Sequence, residues 1–470
     1  TTNLGLPAAG VEAMVILTFT VPEDAVFANG NAYSRFRYSS DGGLAPDSGL
    51  ALDGEIEDYV TPLGKIGNLV WLDENFDGMQ DPADPEEVIE GVLMILSYDT
   101  TANGQIINII DTVRTDANGI YSFCGIIGSD DAKYQLTLQT PDGFASTMIN
   151  VEVDDEVNND GEILLGEEGR DRIQTEPFMI MDVTILPTGE AGQDDDPNIV
   201  NDFPDNQVDQ TYDFGLVPLD FGDLPEMDFG DLPINFATTE DGNVDPPRHI
   251  VTSNKRLGAC VDSELDGQPD PMGMGDDDNM DDTDEEFSFG DCTGGTDEDG
   301  IEFLTPLIPG DTAYIKITYT LPPAMDGGNI AGYLNGWIDY DGNGLLLNTA
   351  SLGPNSNDQI RFFETTGFAA GIQRPNFPLQ AGNDVMKIVG FEVPETATFN
   401  GGTVFSRFRL SCEGSLLPVG ILQDGSIPEG EVEDYVVPLT KIGNLVWLDQ
   451  NYDGIQDTTE LSVEEVISDV

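Results

Sequence analysis

The sequence is nearly without histidine and has few cysteines. One histidine, His249, and four cysteines, none of them in CxxC spacing, occur among 470 residues. A histidine-based catalytic triad and a metal site built from several histidines are therefore excluded. Carboxylates are so abundant that their number singles out no acid–base pair for glycoside hydrolysis. We expect no enzymatic activity and a structural role for His249.

Basic residues and long apolar runs are also scarce. The 17 lysines and arginines face 89 aspartates and glutamates, which gives a formal net charge of −72. This balance excludes nucleic acid and anionic membranes as partners, because both are bound through clustered cations, and it favours cations instead. No run of about 18 apolar residues occurs, so no membrane span is predicted. Because 39% of the residues are hydrophobic, the chain can still bury a core.

One long stretch occurs twice. Residues 54–81 read GEIEDYVTPLGKIGNLVWLDENFDGMQD and residues 430–457 read GEVEDYVVPLTKIGNLVWLDQNYDGIQD. A repeat of this length indicates tandem modules, and we expect the chain to be a segment of a longer one. We predict two module types that alternate along the chain. Residues 1–62 are the C-terminal part of a module of the first type, and residues 217–440 are a fuller copy of it with an acidic insertion at 234–300. Residues 63–216 form a module of the second type, and residues 441–470 begin another module of that type.

Short alternating runs separated by glycine, proline, asparagine and aspartate dominate the chain. This pattern predicts an all-β fold of tandem β-sandwiches, Ig-like or prealbumin-like, with no convincing helix. Residues 213–233, with FGDLP twice, read as a linker. Cys260 and Cys292 lie in one acidic region and are the preferred disulfide pair, whereas Cys124 reads as a buried thiol. Strands are predicted at 66–72, 92–98, 106–114, 134–138, 212–216, 312–321, 332–340 and 385–393.

An acidic loop follows each copy of the IGNLVWLD run. Its spacing supplies oxygen ligands at loop positions 1, 3, 5, 9 and 12, a glycine at 6 and a backbone carbonyl at 7, which are the requirements of a seven-coordinate Ca²⁺. The structural alternative is an Asn-Gly or Asp-Gly turn with solvated carboxylates. Because the same ligand spacing occurs in both copies of the loop, calcium is the favoured interpretation. The predicted ligands are Asp73, Asn75, Asp77, Met79 (backbone), Asp81 and Asp84 in the first copy, and Asp449, Asn451, Asp453, Ile455 (backbone), Asp457 and Glu460 in the second.

Two further loops carry part of this spacing. The stretch DSELDGQPD places Asp262, Glu264 and Asp266 at alternating positions before a glycine but has no acid at position 12. The stretch DYDGNG offers Asp339, Asp341 and Asn343 after a predicted strand. Both are predicted calcium sites by the same ligand argument, which makes several Ca²⁺ ions the expected cofactors.

The acids of the two GE-x-ED motifs allow two readings. Glu55, Glu57 and Asp58, like Glu431, Glu433 and Asp434, sit in strands where alternate side chains share a face. They could hold an ion or pair with the arginines of the SRFR runs, namely Arg35, Arg37, Arg407 and Arg409. The carboxylate–arginine pair is the favoured reading.

The motifs together resemble two known module families. Residues 63–216 resemble the B-type repeat domain of serine-aspartate repeat adhesins, and residues 217–440 resemble the GEVED domain common in secreted and surface proteins of Bacteroidetes. The first resemblance differs after the loop, where PADPEEVIEGV occupies positions 82–92. The first resemblance rests on the motifs IGNLVWLDENFDGMQD (66–81), EGV (90–92), TDANGIYSF (115–123), PDGF (141–144) and TYDFGL (211–216). The second resemblance rests on DFGDLP (228–233), LGACVDSELDGQPD (257–270), DEDGIEF (297–303), NGWIDYDGNG (335–344), SRFRLS (406–411) and GEVEDY (430–435).

These resemblances imply β-sandwich modules, calcium at the DxNxDG loops and a bacterial extracellular location. The leading hypothesis is a secreted or cell-surface structural protein in which calcium stiffens a stalk, fibre or matrix filament, with neighbouring copies or further repeats as partners. An array that binds a glycan or a surface protein is the alternative. A second alternative is a non-catalytic appendage of a secreted enzyme.

Overall fold

The structure is a computed structural model of the 470-residue chain. Among the residues that it describes, it contains no helix that could serve as a transmembrane span. The described residues are 19–22, 25, 27–40, 44–45, 49–51, 53–80, 86–102, 105–130, 132–148, 159–164, 172–187, 203, 205–224, 246–264, 289–290, 297–324, 327–344, 346, 358–366, 371–399, 402–420, 422, 427–439 and 448.

The predicted all-β class is confirmed. The helices within the described ranges are three-residue 3-10 turns, at Ala28–Gly30, Val183–Ile185 and Asp205–Gln207. A two-stranded hairpin comes first, formed by β1 (Asn31–Tyr38) and β2 (Glu55–Pro62).

The first sandwich follows the hairpin. One sheet has the order β10-β11-β8-β5-β6, and across from it lie the β12-β3-β7 sheet and a sheet in which β13 pairs with both β4 and β9. Residues from both layers form one buried cluster, which includes Met94, Leu136 and Phe214. The strands are β3 (Gly64–Ile66), β4 (Val70–Leu72), β5 (Leu93–Ala102), β6 (Gln105–Arg114), β7 (Phe123–Ile126), β8 (Lys133–Gln139), β9 (Phe144–Ser146), β10 (Glu162–Leu164), β11 (Arg172–Gln174), β12 (Val208–Asp209) and β13 (Phe214–Phe221).

The strand predicted at 66–72 is two strands, β3 and β4. Gly67 adopts φ +121°, and a Cβ there would lie 2.7 Å from the carbonyl oxygen of Tyr121, so only glycine fits without movement. The break lets β3 pair in parallel with β12 and β4 pair in parallel with β13. Trp71 on β4 is fully buried, and β4 delivers the chain to Asp73 at the start of the acidic loop.

β13 runs through the region predicted to be a linker. Its first residues, from Phe214, pair with β4, and its last, from Leu219, pair with β14 (Arg248–Ile250). All eight of its residues are buried, so Phe214–Phe221 is a core strand and the linker prediction is wrong for this segment. Burial of both faces explains why period-two alternation is missing here.

The second sandwich packs two sheets against each other. In one, β19 is flanked by β23, β15 and β18, with β21 beyond β23, and the other has the order β22-β20-β24-β25. Tyr319, Phe362 and Phe408 join a single buried cluster between them. The remaining strands are β15 (Arg256–Leu257), β16 (Cys260–Val261), β17 (Phe289–Gly290), β18 (Ile301–Phe303), β19 (Thr312–Leu321), β20 (Gly332–Ile338), β21 (Phe363–Glu364), β22 (Phe377–Leu379), β23 (Gly382–Glu392), β24 (Thr403–Ser411) and β25 (Gly430–Pro438).

The cysteines divide into two kinds. Cys260 is disulfide-bonded, and its strand β16 pairs with β17, whereas Cys292, its predicted partner, lies outside the described residues. Cys124 is exposed, so the prediction of a buried thiol there is wrong. It follows the buried Phe123 on β7, and alternation along the strand turns Cys124 to the opposite, exposed face.

Candidate metal centres

The loop that follows β4 is organised by Asp73. Its carboxylate is fully buried and accepts hydrogen bonds from the backbone amides of Asp77 (3.2 Å) and Gly78 (2.8 Å) and from the hydroxyl of Thr147. Gly78 adopts φ +73°, the left-handed conformation that its place in the turn requires. The chain is thus wrapped around one buried carboxylate.

The next two predicted ligands close the same loop. Asn75 Oδ1 accepts from the amide of Asp77 at 2.9 Å, and Asp77 Oδ1 accepts from the amide of Met79 at 2.9 Å. The side chains of Asn75 and Asp77 also touch, with Nδ2 and Oδ2 at 3.1 Å. The structure therefore brings Asp73, Asn75, Asp77 and Met79 into one compact turn. The predicted ligands Asp81 and Asp84 lie outside the described residues, as do Asp449, Asn451, Asp453, Ile455, Asp457 and Glu460 of the second copy.

A carboxylate that the spacing did not identify joins this loop. Glu86 accepts from the amide of Glu74 at 3.1 Å through Oε1, while its buried Oε2 has no hydrogen-bond partner. Burial, followed by the charges of Asp73 and Asp77, raises the pKa of Glu86 to about 7. Glu86 belongs to the PADPEEV run, in which it falls two residues beyond the predicted last ligand, Asp84.

The DYDGNG loop after β20 repeats this arrangement. Asp339 is buried and accepts from the amides of Asn343 (3.1 Å) and Gly344 (2.8 Å), the residues four and five positions further on. Asp341 Oδ1 accepts from the same Asn343 amide at 3.0 Å, and Asp341 Oδ2 contacts Asn343 Nδ2 at 3.0 Å. Asp339, Asp341 and Asn343 therefore come together as Asp73, Asn75 and Asp77 do.

This second loop also has an acid from elsewhere in the chain. Asp358 is buried, and burial followed by the charges of Asp339 and Asp341 raises its pKa to about 7. Its backbone carbonyl accepts from Ile338 at 2.9 Å, which fixes it beside the end of β20. Asp358 lies too far along the chain for any loop spacing to have pointed to it.

The third predicted loop is arranged differently. Glu264 is buried and accepts from the amide of Phe221 at 2.7 Å, and its carboxylate lies with those of Asp220 and Asp297. Asp262 is half-buried and Asp266 lies outside the described residues. Glu264 is thus grouped with acids from other segments instead of with its sequence neighbours.

The aspartate of each GE-x-ED motif forms the expected pair with arginine. Arg407 binds Asp434 through two hydrogen bonds of 2.8 and 2.6 Å, with both side chains fully buried. Arg35 binds Asp58 at the same register in the hairpin, where both side chains are about half exposed. The carboxylate–arginine reading is therefore confirmed for these two aspartates.

The single histidine has a structural environment. His249 is buried, and its Nε2 accepts a hydrogen bond of 2.8 Å from Arg409 Nε. Burial and the charge of Arg409 lower the pKa of His249 well below its usual value, so the ring is neutral and can act as the acceptor.

The two loops fit a hard divalent cation. Each presents aspartate and asparagine oxygens on a turn closed by backbone amides, and each has a further carboxylate nearby whose pKa is raised by burial and then by the loop acids. The buried Oε2 of Glu86, which has no hydrogen-bond partner, is an oxygen that a cation would satisfy. Oxygen-only ligand sets of this kind select Ca²⁺ over softer metals.

Replacing Glu86 is expected to change the pH dependence of the first loop. Because the folded pKa of about 7 exceeds the ordinary 4.5, the metal-free fold holds a proton that the unfolded chain has released, and its stability falls as the pH rises through this window. A calcium ion bound at this loop would have to displace that proton, so the calcium affinity should rise over the same range. The Glu86→Gln variant should lose both trends and bind calcium about 10- to 100-fold more weakly. Calcium titration calorimetry at about pH 6 and about pH 8 measures this.

The adjacent Glu87 supplies the control for this experiment. Its side chain is exposed, so Glu87→Gln removes the same charge without altering the loop interior. Equal calcium affinities for the two variants would contradict the role given to Glu86.

Comparison with known proteins finds similarity over much of the first sandwich. Residues 64–176 match the family model described as the SdrD B-like domain. A stretch of 104 residues is 38% identical to serine-aspartate repeat-containing protein F of Staphylococcus epidermidis, covering 22% of this chain and 6% of that protein. A stretch of 103 residues is 33% identical to serine-aspartate repeat-containing protein D of Staphylococcus aureus, covering 22% of this chain and 7% of that protein. The chain thus spans a small fraction of these relatives, and the segment that carries the Asp73 loop is similar to an SdrD B-like domain.

Proposed function

We propose that this chain is part of a bacterial cell-surface protein whose tandem β-sandwiches serve as a calcium-stiffened stalk or filament. The observation that carries the proposal is the pair of matching loops, one in each sandwich, at Asp73 and Asp339. Each loop begins where a core strand ends and holds acids that repel one another without a cation. The similarity to serine-aspartate repeat proteins supports the surface location.

Calcium would act here as a structural ligand. It would neutralise the acids at each loop and, by binding the folded state alone, would stabilise that state by mass action. The chain supplies the rest of the rigidity: Asp73 ties its loop to Thr147, and Thr398 donates from its hydroxyl to the carbonyl of Asp341 at 3.2 Å. Neighbouring copies or further repeats are the proposed partners in a filament, and a surface ligand is a proposed target of the array.

Small-angle scattering tests the stiffening. In calcium the chain is expected to scatter as an extended particle of fixed shape, whereas in EDTA at matched ionic strength the profile should shift towards a flexible chain. Magnesium at the same concentration is the control for charge screening, because Mg²⁺ fits the larger calcium sites poorly. Profiles that superimpose in calcium and in EDTA would refute the stalk proposal.

A further inference from the structure

The hairpin β1–β2 is a second copy of the hairpin β24–β25. Residues 19–38 align without a gap with residues 391–410, and SRFR stands at the same place in both. The strands also pair in the same register, since the first arginine of SRFR lies opposite the aspartate of GE-x-ED in each hairpin. The two hairpins can therefore be compared residue by residue.

The first hairpin exposes apolar side chains whose counterparts are core residues. Phe36 is 51% exposed, whereas its counterpart Phe408 is fully buried. Phe19, which precedes the hairpin, is 84% exposed, whereas its counterpart Phe391 is fully buried. Val21 and Tyr38 are likewise exposed, and their counterparts Val393 and Leu410 belong with Phe391 and Phe408 to the buried cluster of the second sandwich. Exposed apolar side chains that form one wall of a core elsewhere mark an interaction surface.

The glutamates of GE-x-ED show what kind of partner satisfies such a hairpin. In the second sandwich Glu431 accepts a hydrogen bond from the backbone amide of Leu257 on β15, and Glu433 accepts from that of Gly300 at 2.7 Å. The hydroxyl of Tyr435 accepts from the amide of Ile301 on β18 at 2.9 Å. Three acceptors of β25 are thus matched by backbone amides of β15 and of β18 with the residue before it.

The first hairpin presents the same acceptors to solvent. Glu55, Glu57 and Tyr59, the counterparts of these three residues, are all exposed. The hydroxyl of Tyr59 already donates to Glu57, as that of Tyr435 donates to Glu433. The side chains are therefore arranged for the same contacts, and their negative charge complements amide donors.

The edge of β1 is open to a further strand. In the second sandwich β24 pairs with β25 on one side and with β20 on the other. Within the described ranges β1 pairs with β2 alone. An open edge beside exposed apolar side chains binds an added strand through main-chain hydrogen bonds. The strand that fits is one of the β20 type.

We propose that the hairpin β1–β2, together with residues 19–22, is a docking surface for the strands of a neighbouring module of the first type. The partner lays a strand like β20 along β1 and presents backbone amides, as β15 and β18 do, to Glu55 and Glu57. This inference rests on the proposed function, because it makes the contact a joint of the tandem array. No residue of the Asp73 or Asp339 loops takes part in it.

The joint is attached to the first sandwich. The carbonyl of Gly30, at the start of β1, accepts hydrogen bonds from the amide of Leu63 at 2.8 Å and from the side chain of Gln207 at 3.4 Å. Leu63 is buried and leads directly into β3. A partner bound to the hairpin would therefore be connected to a core strand of the first sandwich.

A synthetic peptide with the sequence of residues 331–340, AGYLNGWIDY, tests the surface on the intact chain. At about ten times its dissociation constant it should slow amide hydrogen exchange in β1 about 10-fold, measured by mass spectrometry. Exchange in β24 should not change, because β20 already occupies that edge. The control peptide carries Leu334→Ser and Ile338→Ser. If exchange in β1 is unchanged, or if both peptides slow it equally, the docking surface is overturned.

Two variants of the chain locate the peptide. Phe36→Ser should weaken peptide binding about 10-fold or more, because a phenylalanine that becomes buried on binding is lost. Met386→Ser is the matched control, since it removes a side chain of the second sandwich that is 72% exposed. Equal peptide affinities for the two variants would overturn the assignment of the site to this hairpin.

Light scattering and calcium binding separate the remaining outcomes. If the wild-type chain dimerises without peptide and Phe36→Ser abolishes the dimer, the occupant is a second copy of this chain and the proposed partner is wrong. A chain that binds calcium but not the peptide would lose the joint and keep the calcium-stiffened sandwiches. A chain that binds the peptide but no calcium would keep the joint and lose the calcium stiffening.

Discussion

Removing calcium with EDTA is expected to lower the unfolding temperature of each described sandwich by about 5 to 10 °C. A ligand at 100 times its dissociation constant stabilises a fold by about 2.7 kcal/mol, and each kcal/mol is worth about 2 to 4 °C for a domain of 150 to 250 residues. The structural reason is that Asp73 and Asp339 are buried beside Glu86 and Asp358, so that each loop is left with mutually repelling acids when the cation is gone. Differential scanning calorimetry in calcium and in EDTA measures the shift.

Single-loop variants assign the effect to its site. Asp73→Asn should remove the shift that calcium at the first loop contributes, and Asp339→Asn should remove the shift that calcium at the second loop contributes, because asparagine keeps one acceptor oxygen for the loop amides but loses the charge. Sodium chloride at equal ionic strength should not reproduce the shift, since the effect is binding and not screening. Melting curves that coincide in calcium and EDTA would rule out stabilisation by calcium.

Truncating Arg407 is expected to be the most damaging single substitution described here. Arg407→Ala leaves Asp434 as a fully buried, unpaired charge, which costs about 3 to 5 kcal/mol. The loss also removes the donor to the carbonyl of Pro418 and opens space beside Gly222, which packs against the pair. The second sandwich should therefore melt about 6 to 20 °C lower by calorimetry.

The hairpin supplies a matched control for this substitution. Arg35 and Asp58 pair at the equivalent register in the same SRFR and GE-x-ED context, but their side chains are 45% and 56% exposed. Arg35→Ala should leave the unfolding temperature nearly unchanged, because exposed ion pairs contribute little to stability. Equal losses for the two variants would show that burial does not decide the energetics of this motif.

The fold was predictable wherever the pattern was local. β19 begins and ends at the predicted residues, and over most of its length buried side chains alternate with more accessible ones, which is the pattern that predicts a strand. The strand predicted at 66–72 and the linker at 213–233 were less accurate. Gly67 splits the first through a backbone conformation that alternation does not report, and β13 is buried on both faces, so its apolar run lacks a period.

The candidate sites divide in the same way. The ligands of the loops at Asp73 and Asp339 could be predicted from their spacing in the sequence. Each turn is closed by hydrogen bonds between a side-chain oxygen and a backbone amide two, four or five residues further on. The loop spacing did not identify Glu86, which the sequence shows only as an acidic residue just after the predicted loop. Asp358 and Asp220 reach their clusters through strand pairing between distant segments, which no spacing within a single loop records.

Calcium binding by the chain itself tests the central claim most directly. Equilibrium dialysis should find that Asp73→Asn and Asp339→Asn each remove about one bound calcium per chain, while both variants keep the wild-type circular dichroism spectrum. A wild-type chain that binds no calcium at millimolar concentration, or variants that bind as much as the wild type, would contradict calcium as the ligand of these loops.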